Sequence, residues 1–198
     1  MKREEAKMRH FHLIAILLVL AFAWGALISP NQSAAASAEE LNRGCESALE
    51  NLYAKSETAK VLGENSRGVL VFPSIVKGGF MVGGQYGEGA LLLKGKSPRV
   101  YKVAGYYRTV QVSYGFQAGI QKYGYALFLM SDSAMKWIDK SDGWELGTGP
   151  TIVVVDVGMA KSITTTTLQA DTYAFFFDQK GLMGGLGLQG TKITRIDK

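Results

Sequence analysis

Serine, lysine, glycine and aspartate occur in this chain at spacings that chemistry uses elsewhere. Ser133-Ala134-Met135-Lys136 has the S-x-x-K spacing of penicillin-recognising enzymes, in which the serine is the nucleophile. Those sites also need a distant S-D-N and a K-T-G. Here Ser141-Asp142-Gly143 follows too soon and no K-T-G exists, so a capped helix with an exposed lysine is the better reading. Gly185-Leu186-Gly187-Leu188-Gln189-Gly190 spells the dinucleotide fingerprint, yet only eight residues follow it, too few for the helix and acidic residue that its mechanism requires. Ala90 to Ser97 ends in Lys94-Gly95-Lys96-Ser97 like a phosphate-binding loop, but its middle is an apolar strand run without the glycines that let backbone N–H groups wrap a phosphate. Asp156, Asp171 and Asp178 lack metal-ligand spacing and read as turn and strand-end residues.

The distribution of histidine removes whole classes of chemistry. Both histidines, His10 and His12, precede the folded part, so catalytic triads, Cys-His pairs and common zinc sites are excluded. No catalytic residue, metal site or cofactor is expected. The single cysteine, Cys45, excludes an intramolecular disulfide.

What remains is lysine beside glycine-rich apolar sequence. Lys77-Gly78-Gly79-Phe80-Met81 and Lys180-Gly181-Leu182-Met183 predict two related turns, each setting a cation beside apolar side chains. Lys77 and Lys180 are the leading candidates for an anionic headgroup, and Phe80, Met81, Leu182 and Met183 for contact with acyl chains. Lys94, Lys96, Arg99 and Lys102 form a second basic patch around the turn from Gly95 to Pro98. The competing reading buries the four apolar residues in the core and leaves the lysines merely solvated.

Several elements must position these residues. Lys2, Arg3, Lys7 and Arg9, then the apolar run Leu13 to Ile28 and the exit Ala36-Ser37-Ala38, predict an export signal over residues 1–38. The run is long enough that an uncleaved anchor is the alternative. Residues 39–198 then form one exported domain, periplasmic or secreted and peripheral to a membrane. The chain carries a net charge of +5, of which residues 39–198 hold +3 (18 Lys+Arg against 15 Asp+Glu); this is compatible with an anionic surface and does not indicate nucleic acid. Leu41, Cys45, Ala48, Leu49, Leu52 and Ala59 recur at helical spacing, predicting one long amphipathic helix from Glu39 to Leu62, stopped by Gly63. Strands are expected at 69–72, closed by Pro73, then at 80–93, 100–112, 113–130, 151–157, 170–177 and 185–196. A short helix is expected near 131–140, capped by Ser131 or Asp132. Glycine recurs inside strand-like sequence at 79–89, 115–124 and 181–190, which marks close backbone approach. The fold class is α+β, with a mostly antiparallel sheet and the long N-terminal helix.

Several blocks resemble the SYLF-domain family. They are Gly68-Val69-Leu70-Val71-Phe72-Pro73-Ser74, Lys77-Gly78-Gly79-Phe80, Gly83-Gly84-Gln85-Tyr86-Gly87-Glu88-Gly89, and Ala170-Asp171-Thr172-Tyr173-Ala174 with Lys180-Gly181-Leu182. The resemblance implies a non-enzymatic lipid-binding module that prefers phosphoinositides and other anionic lipids; some eukaryotic members also bind actin. For an exported chain the implied ligand is another anionic phospholipid, and actin is not an expected partner. The alternative function is an envelope structural or assembly protein that docks a protein partner through its glycine-rich strands.

Overall fold

Helix formation begins where Ser37 and Glu40 cap each other. The Ser37 hydroxyl accepts from the Glu40 N–H at 3.2 Å, and the Glu40 carboxylate accepts from the Ser37 N–H at 3.0 Å. This box opens α1 (Ala38–Lys55), whose Leu41, Cys45, Leu49 and Leu52 are buried. The helix expected to run unbroken to Leu62 is two helices. Ser56 is extended, with φ −142° and ψ 108°; its N–H closes α1 on the Leu52 carbonyl, and its side chain accepts from the Ala59 N–H to start α2 (Glu57–Asn65). Gly63 lies inside α2 and is not its stop.

The computed structural model describes residues 36–95, 100–139, 144–145, 149–155, 168–181 and 190–198, without the side chains of 80–81, 113–118, 144–145 and 181. The rest of the described chain is β1 (Gly68–Lys94), β2 (Tyr101–Leu129), α3 (Asp132–Ile138), β3 (Trp144–Glu145), β4 (Ile152–Val155), β5 (Thr172–Gly181) and β6 (Thr191–Ile196). The short helix thus forms as expected, with Ser131 as its N-cap. Among the described residues the fold is mixed α+β with a six-stranded sheet. All its pairs are antiparallel except β4 with β5.

Two long strands dominate. β1 has 27 residues and β2 has 29, so the four strands expected over 69–130 are a single hairpin. Pro73 does not close a strand. It sits where the register shifts between Phe72 and Ile75, a bulge that places one extra residue on β1. β1 covers one edge of β2 throughout, while the other edge is shared by β6 along 106–111 and β5 along 121–129.

The hairpin bends sharply midway. A side chain at Gly79 would put its Cβ 2.3 Å from the Gly83 Cα, and β2 has two extra residues between Tyr114 and Ala118 opposite this point. The two halves of β1 then run back along each other. At Gly89 a Cβ would lie 2.2 Å from the Val71 carbonyl oxygen, so the absence of a side chain there permits the close approach. Leu70, Phe72, Ile75, Leu91, Tyr107, Tyr123, Tyr125 and Leu127 pack inside this curl, with Ala134 and Ile138 of α3. α1 lies against the sheet: the Cys45 thiol donates to the Val71 carbonyl at 3.3 Å, and Tyr53 stacks on Phe128 at 6.4 Å. The amphipathic stripe is therefore a docking face.

Candidate functional site

The curl gives the molecule two ends. The bend at residues 79–83 lies at one end; the turn after Lys94, the start of β1 and the C-terminus of α2 lie at the other, where Lys94 Nζ donates to the Glu64 carbonyl. At about 3.3 Å per residue, Gly68 and Gly79 stand on the order of 35 Å apart. Lys77 and Lys180 therefore stand at the end opposite Lys94 and Lys102.

At the bent end, Lys77 pairs with Gln121, and Gln121 with Gly181 on the other side. The two glycine-bearing segments thus flank β2 in one row; the turn expected at 77–81 is instead strand within β1, and Lys180 and Gly181 end β5. Their lysines do not share an environment. Lys77 points inward and is 6% exposed, opposite Gln121 at 5%. Lys77 therefore presents no cation on the outer surface. The physical reason is the bulge at Pro73 and Ser74: the extra residue shifts the alternation, so Ile75 and Lys77 face inward and Val76 outward.

Lys180 is exposed and pairs directly with Lys122, itself exposed, which in turn pairs with Val76. Ile120, two residues from Lys122 on the same face, is 72% exposed. Across the bend the outward rows carry Val82, Val112 at 60% exposed, then Tyr86, Val110 and Lys192. Sequence reasoning missed Lys122, Ile120, Val76 and Val112. Their signal was the alternation Ile120, Lys122 against Gln121, Tyr123, which shows a two-sided strand without saying which side is covered.

The interior beneath these rows is polar. The Tyr123 hydroxyl donates to Gln85 Oε1, Gln85 Nε2 to Thr191 Oγ1 at 3.4 Å, and the Tyr125 hydroxyl to Thr109 Oγ1 at 2.9 Å. Burial pushes the Tyr123 phenol up to about 12 and raises that of Tyr125 further, so both stay neutral hydrogen-bonding groups.

Of the remaining candidates, Lys94 and Lys102 are exposed at the far end. Lys94 borders a cleft of about 880 Å³ between the helices and the hairpin, lined also by Tyr53, Glu57, Lys60, Glu64, Leu92 and Tyr101. Phe80 and Met81 lie in β1 with their side chains outside the described residues; Lys96, Arg99, Leu182 and Met183, and residues 1–35 of the export signal expected over 1–38, also lie outside them. No helix among the described residues is long and apolar enough to cross a membrane.

The other candidate motifs have structural explanations. Ser133 and Ser131 both donate to Asp171, at 2.9 and 2.6 Å, and Thr151 adds its N–H and hydroxyl at 3.3 and 3.1 Å. These donors hold the Asp171 carboxyl below the ordinary aspartate value, led by Ser131. They tie α3 to the starts of β4 and β5. Gly190 leads into strand β6, not into a phosphate-binding helix.

No curated protein matches the chain. Residues 110–198 match the family model described as Ysc84, Las17-binding protein actin regulator. The matched region contains Val112, Ile120, Lys122, Lys180 and Lys192, and leaves α1, α2 and β1 outside it. This match, over somewhat less than half of the chain, is consistent with the SYLF resemblance carried by its sequence blocks.

Proposed function

We propose that this protein is a non-enzymatic, membrane-peripheral domain that binds anionic phospholipid at the bent end of its hairpin, and that it acts at the cell envelope after export. The observation that carries this reading is the cross-strand pair Lys122 and Lys180, exposed side by side and bordered by Val76 and Ile120. Like charges directly opposite on a sheet are unfavourable in water, and an anionic headgroup between them reverses the sign. Near an anionic surface Lys122, Lys180 and Lys192 contribute about 1 kcal/mol each. Lys94 and Lys102 have the same charge without an exposed apolar surround of this extent, so the far end is the weaker candidate.

The test is co-sedimentation of the purified chain with phosphatidylglycerol and with phosphatidylcholine vesicles at low and high salt. Expected is binding that needs phosphatidylglycerol and weakens as salt screens the lysines. Equal binding to both lipids at every salt concentration removes the electrostatic reading. The family's description names a binding partner and actin, which favours a second reading in which the same exposed rows dock a protein of the envelope. Absence of binding to either vesicle would select it.

A further inference from the structure

At the bent end the ordinary polarity of a water-soluble sheet is reversed. Lys77, Gln85, Thr109, Gln121 and Thr191 are buried inside, while Val76, Val82, Val112 and Ile120 are exposed outside. Toward the other end the same two strands follow the usual rule, with Leu70, Phe72, Tyr107 and Leu127 inside. A half-buried strand in water turns its polar residues outward. Strands that turn polar residues inward and apolar residues outward are those whose outer surface meets hydrocarbon.

The charge on these outward rows fits the same surroundings. The rows Val76–Lys122–Lys180, Gly78–Ile120, Gly84–Val112 and Tyr86–Val110–Lys192 carry three lysines, and the one carboxylate residue in register with them, Glu145, lies beyond Lys192 on β3. We infer that the bent end of the hairpin penetrates the acyl region of an anionic bilayer, with Val76, Val82, Val112 and Ile120 among the chains and Lys122, Lys180 and Lys192 at headgroup level. This rests on the lipid-binding reading and adds to it a depth and an orientation.

Backbone groups that enter hydrocarbon must be hydrogen-bonded within the protein. Pairing with β1 continues to the bend through Gly78 with Ile120, Gly79 with Gly119 and Phe80 with Ala118, while the other edge of β2 over 112–120 has no strand partner among the described residues, which favours shallow entry. The register shift between Phe80 and Val82 limits entry to a shallow layer, on the order of the 5–10 Å reached by interfacial helices. The interior amide Gln121 Oε1, without a hydrogen-bond partner among the described residues, remains inside the curl and out of the lipid.

The test places an environment-sensitive NBD fluorophore on single cysteines introduced by Ile120→Cys and Val112→Cys, with Lys102→Cys at the far end as control. Native Cys45 is buried and its thiol is pushed up to about 12, so it does not compete for label at neutral pH. Each labelled full-length chain is mixed with phosphatidylglycerol vesicles containing lipids with a nitroxide on the acyl chain. Probes at 120 and 112 are expected to brighten, shift to the blue and be quenched by the nitroxide, and the probe at 102 to stay water-like. Ile120→Asp, with an unchanged circular dichroism spectrum, is expected to weaken binding roughly tenfold.

Co-sedimentation with water-like probes at 120 and 112 would overturn the insertion and leave surface binding standing. Failure to co-sediment at all would overturn both. Shielding of the probes without vesicles, together with a doubled mass in light scattering, would place a second copy on this face and also overturn the insertion.

Discussion

Lys122 and Lys180 face each other across two paired strands, and this arrangement costs stability in water. Lys180→Glu turns the repulsive pair into an attractive one. Urea unfolding is expected to show a gain of roughly 0.2–1 kcal/mol, while binding to phosphatidylglycerol vesicles weakens. A variant that is both less stable and fully able to bind would contradict the assignment of these lysines to the lipid. Asp171 makes a separate prediction about pH. Its native carboxyl is held below its ordinary value by the Ser131, Ser133 and Thr151 donors. A depressed native value means that the group stabilises the fold above the unfolded aspartate value, near 4, and that this contribution is lost as pH falls through the native value. Thermal unfolding followed from pH 7 to pH 3 is expected to decline less steeply for Asp171→Asn than for the native chain. Parallel declines would show that this carboxylate is not a source of acid sensitivity.

The hairpin works as an element because its halves approach at glycine. Gly89→Ala places a methyl group 2.2 Å from the Val71 carbonyl oxygen, a backbone atom that cannot rotate away. Overpacking of this kind is expected to cost about 1–3 kcal/mol in chemical denaturation. A stability unchanged within error would mean that the halves separate easily in solution. The bulge at Pro73 and Ser74 decides which residues face the lipid. Its effect also marks where the sequence stopped being readable. The helix stripe through Leu41, Cys45, Leu49 and Leu52, the Ser131 cap and the strand residues themselves follow from local periodicity and capping chemistry, and they were legible. The Ser56 break was harder to see, because a serine that serves as C-cap of one helix and N-cap of the next leaves the apolar spacing almost undisturbed. Pro73 suggested a strand end, whereas long-range pairing with Tyr125 and Tyr123 carries the strand past it. One extra residue then reverses the side chains beyond, so Lys77, expected as a surface cation, faces inward and Val76 outward. No local signal records that reversal, since it exists only relative to the partner strand.

For the molecule as a whole, the distribution of lysine matters more than its number. The chain's net charge of +5 attracts it to any anionic surface, but among the described residues only at the bent end does exposed lysine adjoin a broad apolar face. The opposite end carries Lys94 and Lys102 near a cleft that also contains Glu57 and Glu64. Binding at the bent end would orient the hairpin end-on and leave the helices away from the membrane. The measurement that tests this most directly compares two charge-reversed double variants in vesicle co-sedimentation at low salt. Lys122→Glu with Lys180→Glu is expected to lower affinity for phosphatidylglycerol vesicles by about thirtyfold or more, from the loss of roughly 1 kcal/mol per lysine and the added repulsion. Lys94→Glu with Lys102→Glu is expected to change it by no more than about twofold at the distance between the ends, which exceeds the screening length. The reverse pattern, with the far-end variant losing affinity and the bent-end variant retaining it, would contradict the account.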